Sequence, residues 1–294
     1  MSTNEVLIVF GANGFLGSVI TKRLHFEGKN VIAVVRPGAT ISRLSHNLNL
    51  NIQEIDSANW PSLIRERNPK TIIVAQWDGV READRDNFEK QARNISQITQ
   101  LALAAHESGV ANFLAFGSQA EVSRSLNLIE EKFYDSGISQ YGKAKSQLFR
   151  ELEKIFRNSG TRFFWARIFS VYGPNDNMES LLSQLHLHKK RDTNFVIRNP
   201  SMLWSFLFEE DFARAILALI ESDIHSGIVN IANPNLVSIR EIVSIWQDTL
   251  VTARNMSINR LPGFFPVTTK LDSIGWKPEV SLEDGVQIIR NMQS

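Results

Sequence analysis

The stretch Val6-Leu7-Ile8-Val9-Phe10-Gly11-Ala12-Asn13-Gly14-Phe15-Leu16-Gly17 decides the fold. Its first five residues are apolar without alternation, which suits a strand buried on both faces of a parallel sheet. Three glycines at G-x-x-G-x-x-G spacing then open the helical pattern Phe15–Glu27. Gly11 permits a tight turn, Gly14 lets the backbone approach a pyrophosphate, and Gly17 allows close helix–strand packing. The unpaired N–H groups and the dipole at the helix start favour an anion. Asn13, Phe15 and Leu16 complete the turn as candidate cofactor contacts.

The same rhythm extends outward. Further strands read at Val31–Val35, Asn51–Ile55, Thr71–Ala75, Asn112–Phe116 and Phe163–Arg167. Helical patterns separate them at Trp60–Arg67, Asn87–Ser108 and Gln140–Ser159. In the last, Tyr141, Ala144, Leu148, Leu152, Ile155 and Phe156 form one stripe at spacings of three and four. This alternation predicts an α/β protein with a Rossmann-type doubly wound parallel sheet. After Tyr172 the rhythm breaks at Gly173-Pro174-Asn175-Asp176-Asn177. Helices follow at Glu179–His188, Glu210–Ser222, Ile239–Leu250 and from about Ser281, with a Ser238/Glu241 capping box before the third. They predict a smaller C-terminal α/β substrate domain, interleaved with the first. Residues 1–170 with about 206–235 form the cofactor domain; about 171–205 with 236–294 form the substrate domain.

Composition narrows the chemistry. The 294 residues carry 32 Lys plus Arg against 31 Asp plus Glu, a net charge of +1, which is no nucleic-acid footprint. There is no cysteine, which removes disulfides, thiolate nucleophiles, Cys-ligated zinc and iron–sulfur clusters together. His25, His46, His106, His186, His188 and His225 show no metal-like spacing, so no metal is expected. The N-terminus lacks a basic region before its short apolar run, and no stretch approaches the roughly 20 apolar residues of a membrane span. A soluble, cytoplasmic protein is expected.

The second strand ends Val34-Val35-Arg36-Pro37, where a nicotinamide dinucleotide places its adenine ribose. An acidic residue there indicates NAD, whereas an arginine can bind a 2′-phosphate. No Asp or Glu lies between Lys29 and Gln53, so NADP(H) is favoured, with NAD(H) as the alternative. Asp56 and Ser57 either border the adenine or belong to an ordinary loop. After the fourth strand, Ala75, Gln76 and Trp77 lie on the cofactor side; Trp77 either walls the nicotinamide pocket or packs in the core.

Tyr141 and Lys145 stand at i and i+4 and share one helix face. A phenol near pKa 10 is a poor acid–base at neutral pH, and a neighbouring ammonium favours its ionised form. The same lysine can hydrogen-bond a nicotinamide ribose. At the end of the fifth strand, Ser118 would orient a substrate carbonyl or alcohol toward Tyr141.

The glycine turn, the Ser118/Tyr141/Lys145 set, Ser170-Val171-Tyr172-Gly173-Pro174, Phe206–Asp211, Val229-Asn230-Ile231-Ala232 and Ile274-Gly275-Trp276-Lys277-Pro278 together resemble the extended short-chain dehydrogenase/reductases. The nearest branch is that of the nucleotide-sugar epimerases, dehydratases and 4-ketoreductases, and the resemblance spans essentially the whole chain. It implies a nucleotide-sugar substrate, cofactor contacts including Phe169, substrate contacts among Gln119, Glu121 and Ser170, and homodimers built through Asn87–Ser108 and Gln140–Ser159.

The chain also departs from the branch. Aligned on Val122, the usual Ser/Thr position falls on Gln119, so either Ser118 or Gln119 fills that role. Dehydratases carry an Asp–Glu pair here; Ala120 replaces the Asp, while Glu121 keeps the Glu. Trp204-Ser205 stands where the branch has Arg-Asp, which displaces the diphosphate arginine; Arg198, Arg191 or Arg260 are the substitutes on offer. The leading expectation is NADPH-dependent reduction of a nucleotide-activated 4-keto-6-deoxy sugar. The alternatives are an NAD-dependent nucleotide-sugar 4-epimerase and a catalytically silent NAD(P)-sensing regulator.

Overall fold

The structure, a computed structural model, describes residues 5–44, 48–81, 84–122, 128–132, 137–191, 195–197, 199–245, 251–253 and 263–292. Its first part runs β1 (Val6–Phe10), α1 (Phe15–Phe26), β2 (Asn30–Val35), β3 (Asn51–Glu54), α2 (Trp60–Arg67), β4 (Thr71–Val74), α3 (Phe88–Glu107) and β5 (Asn112–Ser118). There follow β6 (Leu128–Ile129), α4 (Gln140–Phe156), β7 (Arg162–Ile168), β8 (Ser170–Tyr172), α5 (Leu181–Lys190), β9 (Phe195–Ile197), β10 (Leu203–Phe208) and α6 (Glu209–Glu221). The chain closes with β11 (Gly227–Ile231), β12 (Leu236–Ser238), α7 (Ile239–Ile245), β13 (Val251–Ala253), β14 (Phe265–Pro266), α8 (Thr269–Ser273) and α9 (Leu282–Met292).

The six expected strands join one seven-stranded sheet of order β11-β7-β5-β4-β1-β2-β3. Its pairs are parallel throughout, with β1 flanked by β2 on one side and β4 on the other. The chain winds outward in both directions from β1 and β4, so the crevice at their C-terminal ends is a topological switch point. Continuous apolar strands are what a sheet covered on both faces requires. Residues 71–74 are all buried, as are 7–10. One face packs on α1 and α6, where Ile20, Leu24, Phe212 and Ile216 meet Val9 and Ile73. The other packs on α2, α3 and α4 through Ile64, Ile98, Leu101, Leu148 and Leu152.

The stripe of α4 shows why that helix lies where it does. Leu148 and Leu152 are fully buried against the sheet, each worth about 1.5–3 kcal/mol of hydrophobic stabilisation. Ser139 caps the helix by accepting from Gly142 N at 3.1 Å. The helix stops at Phe156 rather than Ser159, whose hydroxyl instead turns back onto the Phe156 carbonyl at 3.0 Å.

The motif Val229-Asn230-Ile231-Ala232 becomes the seventh strand, a return to the large sheet after the excursion through β8 and β10. A second, three-stranded sheet of order β12-β10-β8 carries its own core of Tyr172, Leu185, Phe206, Phe208, Ile242, Val286 and Ile289. The Ser238/Glu241 box is present: Glu241 N donates to Ser238 Oγ at 3.1 Å, and Ser238 N donates to Glu241 Oε2 at 2.6 Å. Of the expected helix Ile239–Leu250, α7 covers Ile239–Ile245; residues 246–250 lie outside the described residues. Among the described residues, no helix is long and apolar enough to cross a membrane.

Candidate active site

The glycine turn is built by steric necessity. Gly11 has φ +77°, and a Cβ on it would sit 2.6 Å from the Gln76 backbone. A Cβ on Gly17 would collide with the Gly11 carbonyl oxygen, so helix and turn touch through bare backbone. Gly14 starts α1 with no side-chain cap, leaving the first N–H groups to face an outside acceptor. That cradle fits the pyrophosphate of a dinucleotide. Phe15 and Leu16 are half-buried beside it, and Asn13 is tied to the Thr40 carbonyl at 3.2 Å.

At the end of β2, Arg36 is exposed. Close by, Gly38 N donates to Glu54 Oε2 at 3.0 Å, so a carboxylate from β3 also borders this loop. Asp56 caps the short turn after β3 by accepting from Ala58 N at 2.9 Å. Ser57 Oγ accepts from Gln97 Nε2 at 2.9 Å. Ala75 and Gln76 lie against Gly11 at the turn.

The structure brings Ser118, Tyr141 and Lys145 together. Ser118 ends β5, and its hydroxyl favours the ionised form of the Tyr141 phenol. Gln119 turns to Ser170, its Nε2 3.4 Å from Ser170 Oγ. Gln119 Oε1 is buried with no hydrogen-bond partner among the described residues. Lys145 Nζ donates to the Phe116 carbonyl at 2.6 Å and lies 3.6 Å from the centre of the Trp77 ring. Trp77 also meets Tyr141 edge-on at 5.9 Å and donates to Gln91 Oε1 at 2.9 Å. It therefore packs directly on the Tyr–Lys pair.

The electrostatics differ from the expectation in one respect. Burial raises the Tyr141 phenol above its ordinary value, against the hydrogen bond of Ser118 and the charge of Arg85. Burial also lowers Lys145 to about 7, opposed by Glu121. Lys145 Nζ lies 5.9 Å from the phenol ring centre, and burial sets the direction of the shift.

Glu121 departs from its expected substrate role. It is 1% exposed and completes a capping box with Ser118, accepting from Ser118 N at 2.5 Å. Its other oxygen accepts from Trp165 Nε1 at 2.9 Å and pairs with Arg167 Nε at 3.4 Å. The carboxylate is locked into the core beneath Ser118.

In front of these residues lies a cleft of about 1140 Å³. It is walled by Phe15 and Leu16 of α1, Phe169 and Ser170 before and in β8, and Trp204 and Phe206 of β10. Trp204 stacks on Phe264 at 5.5 Å. Ser205, in the place of an aspartate, is buried and accepts from Asn233 N at 2.8 Å. Tyr141, at 6% exposure, sits just behind the wall, covered by Arg85, whose Cζ is 4.9 Å from the phenol ring centre. Arg85 was missed in the sequence because the contact joins a loop after β4 to a helix 56 positions on, with no local period to betray it. Arg198 and Arg260 lie outside the described residues, and Arg191 is exposed at the end of α5.

Comparison with known proteins agrees with this arrangement. The family model described as "NAD dependent epimerase/dehydratase family" matches residues 7–232. The chain belongs to that family and is an NAD(P)-dependent enzyme. GDP-L-fucose synthase 1 of Arabidopsis thaliana is 24% identical over 95% of this chain and 90% of its own length. Among solved structures, MoeE5 in complex with UDP-glucuronic acid and NAD superposes with TM-score 0.83 at 22% identity, over 98% of this chain and 99% of that one. A UDP-glucuronic acid 4-epimerase from Bacillus cereus, in complex with UDP-glucuronic acid and NAD, gives 0.83 at 19% identity, over 98% and 99%.

Proposed function

We propose that the enzyme reduces a nucleotide-activated 4-keto sugar with NADPH, a 4-keto-6-deoxy sugar being the leading substrate. The glycine turn, Phe15 and Leu16 would hold the cofactor, with Arg36 on a 2′-phosphate. The cofactor supplies a hydride when bound. Tyr141 gives its hydroxyl proton to the reduced carbonyl oxygen, and Ser118, at the end of β5, orients the oxygen toward it. Lys145, held by the Phe116 carbonyl, supplies a positive charge behind the pair when protonated. Residues 171–205 with 236–294 would form the substrate-binding unit. The exposed Phe88 and Leu103 of α3 support a homodimer paired through α3 and α4.

The observation that carries this reading is the fixed Glu121. A dehydratase must abstract a proton beside the ketone, and the carboxylate that would do so is spent on Ser118 N, Trp165 and Arg167. Glu54, bonded to the Gly38 amide beside Arg36, favours a second reading, a 4-epimerase that retains NAD. The test is an assay with NADPH and 4-keto nucleotide sugars, alongside mass spectrometry of copurified dinucleotide. NADPH oxidation with a keto sugar supports the reductase. Copurified NAD with interconversion of C4 epimers, and no NADPH oxidation, refutes it.

A further inference from the structure

A nucleotide sugar carries its negative charge close to the reacting ring, and the cleft must answer it. The position that holds an arginine in the related branch is Trp204, occupied by an aromatic stack with Phe264. Among the described residues lining the cleft, the only cations are Arg81 and Arg85, on the loop between β4 and α3. The carboxylates beside Arg85 are engaged elsewhere. Asp84 pairs with Lys90 at 2.7 Å, and Asp86 accepts from Gln140 N at 2.9 Å.

Arg85 stands apart. It is half-buried and lies over the Tyr141 ring, and its backbone carbonyl accepts from Tyr141 N at 2.9 Å. Both ends of the residue are thus anchored to the start of α4. Its guanidinium has no hydrogen bond or ion pair among the described residues, and its Nε is buried with no partner. A half-buried guanidinium in the wall of a cleft, with no hydrogen bond or ion pair among the described residues, calls for an anionic acceptor, and its planar fork matches a phosphoryl or carboxylate group.

We propose that Arg85 is the anion receptor of the substrate cleft, binding an anionic oxygen group of the sugar substrate beside Tyr141. This rests on the nucleotide-sugar reading and adds the residue that holds the charge. Two sources share the chemistry: the glycosyl diphosphate of any nucleotide sugar, and a carboxylate on the sugar itself. The distance from Arg85 to the phenol allows a group one sugar ring away or one attached next to the reacting carbon.

The experiment titrates wild type, Arg85→Met and Arg85→Lys with four probe pairs, read by tryptophan fluorescence, since Trp204 lines the cleft. The pairs are UDP against uridine, GDP against guanosine, UDP-glucuronate against UDP-glucose, and NADPH against NADH. NADPH binding and the melting temperature of each variant check that it folds. A diphosphate source predicts that Arg85→Met loses at least about tenfold for the diphosphate while the nucleoside is unchanged, the loss expected of one charge-assisted contact. A carboxylate source predicts the same loss for UDP-glucuronate with UDP-glucose unchanged. Arg85→Lys recovers part of either. Equal loss across each pair, no loss at all, or a loss confined to NADPH overturns the assignment. A wild type that binds NADPH but none of the sugar-side probes instead refutes the nucleotide-sugar reading, and the receptor with it.

Discussion

The two ends of the cleft are made in opposite ways. At the glycine turn, backbone sets the shape: Gly11 and Gly17 leave no room for a side chain, and α1 begins with open amides. Along the opposite wall, side chains from five separated segments converge: Arg85, Gln119, Ser170, Trp204 and Phe264. A backbone cradle tolerates almost no substitution, because the obstacle is the main chain of a neighbouring turn. A wall of side chains can be exchanged residue by residue, which is how one fold accepts many sugars.

That contrast is most sharply tested at the glycines. Gly17→Val should destabilise the enzyme by about 2–3 kcal/mol through overpacking and abolish measurable NADPH binding. A calorimetric titration that still finds binding would mean the turn has more slack than its geometry allows. Tyr141→Phe is next. It should lower kcat by about 10²–10⁴-fold with the dissociation constants of cofactor and substrate unchanged, since the phenol's job is proton transfer. Full activity would strip Tyr141 of the proton-donor role.

Arg36→Asp should weaken NADPH by about 30-fold while leaving NADH within about threefold, as expected for one charge-assisted contact. Equal changes for both would strip Arg36 of its role.

The smallest effect belongs to a half-buried glutamate at the start of α6. Burial pushes Glu209 up to about 7, and its Oε2 has no hydrogen-bond partner among the described residues. A carboxyl raised from 4.5 in the unfolded chain binds its proton more tightly when folded, so it costs stability as pH rises from about 4.5 to 7. Glu209→Gln should therefore be more stable than wild type by about 1 kcal/mol at pH 8, and equal to it at pH 4. Thermal melts at both pH values check the sign.

Legibility in the sequence follows the same divide. The glycine turn and the parallel sheet could be read because their causes are local: continuous apolar runs, a fixed glycine spacing and an i, i+4 Tyr–Lys pair. The burial of Glu121 could not be read because its partners, Trp165 and Arg167, stand on a strand more than 40 positions away. Its capping box with Ser118 also looks the same in sequence whether the carboxylate faces in or out. The depressed phenol expected of Tyr141 failed for a related reason. Spacing places the lysine on the same helix face, but how deeply both are buried depends on Trp77, Arg85 and the sheet beneath.

The sequence by itself determined the class of fold, the glycine turn and the shared helix face of Tyr141 and Lys145, since short-range sterics and periodicity dictate them. Tertiary structure decided what those residues can do. It turned Gln119 to Ser170, buried Glu121 as a structural strut, and set Arg85 over Tyr141. These outcomes depend on desolvation and on contacts between distant segments, and neither is written in the local spacing of a chain.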